Sequence, residues 1–137
     1  MPSLPPPIIT SEIRIVDSAG RARLVLSAAP GVPSIQLLSP KGHPSASIAL
    51  DAEGRPRIAL SGPDADQPSV SVEVDDKGAH VRFDRAAGGS SYLFLNNAGV
   101  SGLVLIDAKN VRRAEVILGP DGEPQVCRYD AQGRRLP

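Results

Sequence analysis

The chain is short of several things. It has no Trp and only four other aromatic residues, two Tyr and two Phe, among 137 positions. It has one cysteine, Cys127, so no intrachain disulfide can form. It has no net charge, with 15 Lys and Arg against 15 Asp and Glu. That balance argues against a nucleic-acid binder, which needs a basic face to neutralise phosphates. It has no apolar run near the ~20 residues that span a bilayer as a helix. Its start, Met1 to Thr10, lacks a basic n-region and a continuous apolar h-region, so it does not read as a secretory signal. A cytoplasmic location is the default expectation; a virion component or a leaderless export substrate would carry the same sequence features.

What the chain does have is aliphatic residues and breakers. Leu, Ile, Val and Phe make up about a quarter of it, above the level (below ~20%) that marks disorder. Thirteen Gly and 14 Pro are spread along the chain. A proline-rich arm at 1–10, expected as extended polyproline II, precedes a single domain at 11–137.

The breakers are periodic. An acidic or small polar residue, two variable residues, then Gly or Asn recur at Asp17–Gly20, Ser39–Gly42, Asp51–Gly54, Asp75–Gly78, Asn96–Gly99, Asp107–Asn110, Gly119–Gly122 and Asp130–Gly133. Further breaker clusters at 29–33, 62–64 and 87–89 fill the longer gaps, leaving a period of 11 or 12 residues, one strand and one turn. Val16–Ser27 aligns directly with Leu50–Ser61 and shares the Asp, Gly, two Arg, Leu and Ser, which points to internal duplication.

The turn chemistry predicts hairpins. Asp first and Gly fourth suit a type I turn closed by a left-handed Gly. At Gly54 this sets Leu50 against Pro56, Ile48 against Ile58 and Ala46 against Leu60, with apolar and polar residues on opposite faces. At Asp75 the same register would oppose Val72 and Arg82. A Lys77-Gly78 turn, with Val74 facing Val81 and Glu73 facing Arg82, is expected instead. Residues 103–118 hold no Gly or Pro. Asp107 could cap a helix running to Gly119, but the period favours two strands joined at Lys109-Asn110.

The expected fold is therefore all-β: an antiparallel meander of about twelve short strands, solenoid- or prism-like, or completed by oligomerisation. A β-barrel, sandwich or β-trefoil is the alternative. The aromatic scarcity favours a thin core of Val, Ile, Leu and Ala.

The apolar-Asp-x-x-Gly-x-Arg pattern resembles poorly characterised bacterial β-hairpin repeat proteins, over most of residues 12–136. Tyr129–Leu136 also resembles one YD-type repeat of shell-forming toxin proteins. In style the repeats are similar to stalk modules of phage tail fibres and trimeric adhesins. The first resemblance implies a repeat architecture and carries no functional residues.

The catalytic inventory is thin. His43 lies in a turn and His80 just after one, neither with a partner at metal-ligand spacing. Cys127 follows Val126 in a strand with no activating base nearby in sequence, and reads as a buried or edge thiol. Asp64 and Asp66, beside Gln67, lack the Gly and distal Glu of a calcium loop, as do Asp75 and Asp76. Gly88-Gly89-Ser90-Ser91 lacks the Lys and following helix of a phosphate loop. Ser34, Ser45, Ser47, Ser69 and Ser71 alternate with apolar residues and are expected to face solvent. Arginines follow the turns: Arg21 and Arg23, Arg55 and Arg57, Arg82 and Arg85, Arg112 and Arg113, Arg134 and Arg135. A ladder near one rim is expected, answered in part by Asp17, Asp51 and Asp130, and serving charge pairing and edge protection.

No catalytic, cofactor or metal residues are assigned. The expected role is a non-enzymatic structural protein that associates with copies of itself as a fibre, stalk or shell component, with a trimer as the first expectation. The competing expectation is a monomeric β-domain that binds a ligand or glycan through loops at Asp64, Asp66 or His43. An enzyme is the least supported of the three.

Overall fold

The computed structural model describes residues 6–29 and 31–137. The first half of the proline-rich arm, and Pro30 in the cluster at 29–33, lie outside the described residues. Residues 6–10 form no strand and are exposed.

Eleven strands follow one another: β1 (Glu12–Val16), β2 (Ala22–Ser27), β3 (Ser34–Leu38), β4 (Pro44–Leu50), β5 (Pro56–Ser61), β6 (Ser69–Val74), β7 (Gly78–Asp84), β8 (Ser90–Asn96), β9 (Ser101–Ile106), β10 (Arg112–Leu118) and β11 (Pro124–Arg128). Each pairs antiparallel with the next, in chain order, in one open sheet. The all-β meander matches the sequence reading, with eleven strands where about twelve are expected. The single-chain barrel, sandwich and trefoil are not what forms: the sheet does not close, and among the described residues no second sheet covers either face. After β11 the chain turns once more, and Tyr129 bridges to Arg135.

Residues 107–118 are a turn and a strand, without helix. Asp107 Oδ1 accepts from the amides of Lys109 and Val111, and Asn110 takes the left-handed position at φ 59°. Asn is among the few non-Gly residues that tolerate this conformation, and here it stands where other turns use Gly. The hairpin at Gly54 has the expected register, with Leu50 opposite Pro56, Ile48 opposite Ile58 and Ala46 opposite Leu60.

The hairpin at Asp75 differs from expectation by two residues. Val74 faces Ala79, Glu73 faces His80 and Val72 faces Val81, while Arg82 faces Ser71. The loop is Asp76-Lys77, closed by the Asp75 amide donating to the Gly78 carbonyl at 2.9 Å. The Asp75 carboxylate caps the amides of Lys77 and Gly78. A two-residue shift leaves every side chain on its own face, so hydrophobic alternation is blind to it; the turn chemistry decides.

In a meander, successive turns fall on alternate rims. The turns at Asp17, Ser39 and Asp107 share the first rim, and those at Asp51, Asp75, Asn96 and Gly119 the second. On the second rim the apolar residues entering the turn stand one and three before its first residue, as Leu50 and Ile48 do before Asp51. On the first rim they stand two and four before it, as Ile15 and Ile13 do before Asp17. Beyond the turns at Asp17 and Asp51 alike the apolar pair falls seven and nine places on, Leu24 and Leu26 or Ile58 and Leu60, whereas beyond the shorter loop at Asp75 it falls six and eight on, at Val81 and Phe83. The three first-rim hairpins named here absorb the extra residue as a β-bulge, between β1 and β2, β3 and β4, and β9 and β10. The bulges leave Arg23, Ser45 and Arg113 unpaired in register, and they keep one face apolar throughout.

Candidate functional site

The apolar face is the dominant feature. A row of directly opposed residues crosses all eleven strands: Ile13, Leu26, Ile35, Ile48, Ile58, Val72, Val81, Leu93, Leu103, Val116 and Val126. Such cross-strand aliphatic pairs each contribute roughly 0.2–1 kcal/mol. One flanking row runs from Ile15 through Leu24, Leu37, Leu60, Val70, Phe83 and Leu105. The other includes Leu50, Val74, Leu95 and Leu118.

Most of these side chains are exposed, with Leu24, Val70 and Val81 half-buried. Ile48 is 51%, Leu93 57% and Val126 71% exposed. Among the described residues only Val104 and Cys127 are buried apolar side chains. The surface totals 9837 Å², whereas a compact chain of this mass has about 6,800 Å². Arg128 is the one charged residue in the three rows among the described residues. A shallow depression of about 400 Å³ opens on this face near the second rim, lined by Ile8, Ile13, Leu26, Ile35, Ile48 and Leu50. Monomeric soluble proteins rarely expose a contiguous apolar patch of this extent.

The opposite face carries the polar residues and is better covered. The serines expected to face solvent are a correction. Ser34, Ser45, Ser47 and Ser69 are half-buried and Ser71 is 7% exposed. Of these, Ser34, Ser47, Ser69 and Ser71 are in register with the polar ladders. They are short side chains beneath longer neighbours, Arg82 opposite Ser71 among them. Towards the C-terminal strands this face holds a small cluster. Tyr129 Oη donates to Glu115 Oε1, and Arg112 donates to Glu115 Oε2 at 2.7 Å. Arg112 also reaches Tyr92 Oη at 3.4 Å. The Glu115 hydrogen bond is the chief cause raising the Tyr129 phenol above its ordinary value, since it stabilises the protonated form. Glu115, Val104 and Cys127 are cross-strand neighbours beneath it. The distance of Glu115 from Tyr129 in sequence hides this grouping from pattern reading.

A groove of about 510 Å³ on the same face is lined by Glu73, His80, Arg82, Tyr92, Phe94 and Asn96. Glu73 meets Arg57 at 3.0 Å and His80 Nε2 at 3.6 Å, while Arg82 pairs with Asp84 at 2.7 Å. The expected Glu73–Arg82 pair is thus replaced, a consequence of the two-residue register shift. Tyr92 and Phe94 lie 5.7 Å apart, ring centre to ring centre, tilted at 45°.

The remaining candidates are dispersed. His43 is exposed, its amide donating to Ser39 Oγ. Asp64 and Asp66 are exposed in the β5–β6 loop, where Gln67 donates to Asp64 and Arg85 to the Asp66 carbonyl. Asp76 is exposed, while Asp75 caps its turn. Gly88 and Gly89 form the β7–β8 turn, and Ser90 and Ser91 open β8. Cys127 is buried on the edge strand β11. Among the described residues, no three His, Cys, Asp or Glu side chains come together as a metal set. Among the described residues, no helix is long and apolar enough to cross a membrane.

The arginines gather mostly, but not wholly, towards one rim. Arg21, Arg23, Arg82, Arg85, Arg112, Arg113, Arg134 and Arg135 lie towards the first rim, and Arg55 and Arg57 towards the second, because the meander alternates. Three of the repeated turns instead hold their own pair: Arg21–Asp17 at 3.0 Å, Arg55–Asp51 at 2.7 Å and Arg134–Asp130 at 2.8 Å. The same carboxylates cap amides two and four residues on. Those backbone bonds, led by the amide four residues on, pull the three carboxyls below the ordinary aspartate value. The bulged arginines do a further job. Arg23 spans from Asp17 to the Leu38 carbonyl, and Arg113 from Asp107 to the Tyr129 carbonyl, each tying one first-rim turn to the next.

No protein-family model and no curated protein matches this chain.

Proposed function

We propose that this protein is a non-enzymatic structural module that associates with copies of itself through its apolar face, as part of a fibre, stalk or shell. The observation that carries this reading is the uninterrupted row of eleven aliphatic residues, ten of them exposed and Val81 half-buried. A single-layer sheet cannot bury such a row within its own chain. Covering it removes apolar surface from water at roughly 25 cal/mol per Å². The surface in excess of a compact chain, about 3,000 Å², is several times the ~800 Å² per partner of a standard interface. The β-hairpin repeats favour the same reading, because repeated units that cannot bury a face alone depend on neighbours.

The test is sedimentation of the purified full chain over a wide concentration range. A species heavier than 14.3 kDa is expected at micromolar concentration and above. A monodisperse species of 14.3 kDa at every concentration would overturn the reading.

A further inference from the structure

Resting on that reading, we infer that the N-terminal arm of one copy seats Ile8 and Ile9 in the apolar depression of the next. In the single chain both halves of this contact are open. The depression of about 400 Å³ lies where β1 to β4 meet the second rim, walled by Ile13, Leu26, Ile35, Ile48 and Leu50. Ile8 stands at its lip yet is 83% exposed, and Ile9 is 92% exposed, the two highest values for large apolar residues among the described residues.

Reach decides which arm can fill it. Thr10 is anchored to the start of β1: its Oγ1 donates to the Glu12 carbonyl at 3.0 Å and accepts from the Glu12 amide at 3.3 Å. From Thr10 the chain covers roughly 7 Å to Ile8, at ~3.3–3.6 Å per residue. Strands β3 and β4 lie roughly 10 and 14 Å from β1, at ~4.8 Å per strand. The chain's own isoleucines therefore come to the near edge, and the space between Ile35, Ile48 and Leu50 stays open to another copy's arm. The arm suits an apolar seat. Residues 6–10 carry no charged side chain. Pro6 and Pro7 are exposed, and they have no N–H to leave unpaired when water is excluded. Consecutive prolines favour an extended form before docking, so little chain entropy is lost on seating. The contact adds to the covering of the aliphatic rows.

Two full-length variants test it. In Ile9→Cys/Ile48→Cys, mild oxidation is expected to join residue 9 of one chain to residue 48 of another. Covalent multiples of the 14.3 kDa chain then appear on a denaturing gel, and peptide mapping identifies the bond and separates it from any formed by the buried Cys127. In Ile8→Ser/Ile9→Ser the sheet is untouched, because neither residue lies in a strand, and circular dichroism should match the wild type. Sedimentation of this variant is expected to show self-association weakened by roughly tenfold or more, the loss of two seated aliphatic side chains. Absence of a 9–48 bond, or its closure within a single chain, overturns the arm contact and leaves self-association through the apolar face standing. Wild-type association in Ile8→Ser/Ile9→Ser does the same. A wild type of 14.3 kDa at every concentration overturns both.

Discussion

The Asp that opens a turn does three things with one carboxylate. At Asp51, Oδ1 accepts the amides of Glu53 and Arg55, and Oδ2 accepts Arg55 Nε at 2.7 Å. Asn96 does the first two alone, capping Ala98 and Val100. The turn therefore needs the acceptor oxygen, and the charge is additional. Because folding lowers these carboxyl pKa values at Asp17, Asp51, Asp107 and Asp130, the folded state binds protons less readily than the unfolded one. Their contribution is complete above the unfolded aspartate value of about 3.9. It drains away as pH falls from there through the lower folded values. Thermal unfolding should show Tm insensitive to these groups between pH 7 and 5 and falling below about pH 4. In Asp51→Asn the turn should survive with a shallower acid slope; an unchanged slope would remove Asp51 from the effect. Gly54, at φ 80°, is a steeper constraint. Gly54→Ala should cost about 1–2 kcal/mol, the left-handed penalty of an L residue, measurable by urea unfolding.

At the scale of the element, strand packing adds constraints that turn motifs do not contain. Gly102 in β9 lies beneath its neighbours: a Cβ there would meet Ile117 Cδ1 at 2.6 Å, the Val116 carbonyl oxygen at 2.7 Å and Phe94 at 3.1 Å. The Phe94 ring covers the site a side chain would fill. Gly102→Val should destabilise by about 1–3 kcal/mol, the usual cost of forcing atoms into a filled site. Denaturant unfolding of this variant against Ala98→Val, in an exposed turn position, checks it. The first-rim bulges are a second feature at this scale. Deleting Arg23 removes the extra residue and its bulge together, so Ile15 meets Leu24 in regular register and Leu24 and Leu26 stay on the apolar face. Retained cooperative unfolding in that deletion, with a Tm lowered as in Arg23→Ala by loss of the link from Asp17 to the Leu38 carbonyl, is the expected result by calorimetry. The bulges are legible in the sequence once the rims are known, since the incoming apolar offset alternates between one and two. Without the topology the alternation looks like noise in an 11–12-residue period.

For the whole molecule, the proposed association makes stability and assembly one equilibrium. Intrachain packing buries two apolar side chains among the described residues, far fewer than a self-sufficient domain of this length. If the core is shared between copies, Tm rises with protein concentration, as it does for any assembly that stabilises only the folded state. Scanning calorimetry over a hundredfold concentration range should show that rise in the wild type and its absence in Leu93→Glu. A concentration-independent Tm in the wild type would contradict a shared core.

Strand number, strand boundaries and the separation of faces follow from local chemistry. Asp, Asn and Gly specify turns through their own backbone bonds, and alternation of apolar residues specifies which face each strand shows. Asn110 in place of Gly is the same chemistry, which is why residues 107–118 are strand and not helix. Three matters rested on tertiary structure. The register at Asp75 needed it, because a two-residue slip preserves alternation. The arginine positions needed it, because a meander sends successive turns to opposite rims. Above all, alternation shows that a face is apolar and cannot say what covers it. The eleven strands lie in one open layer, so none of them covers it.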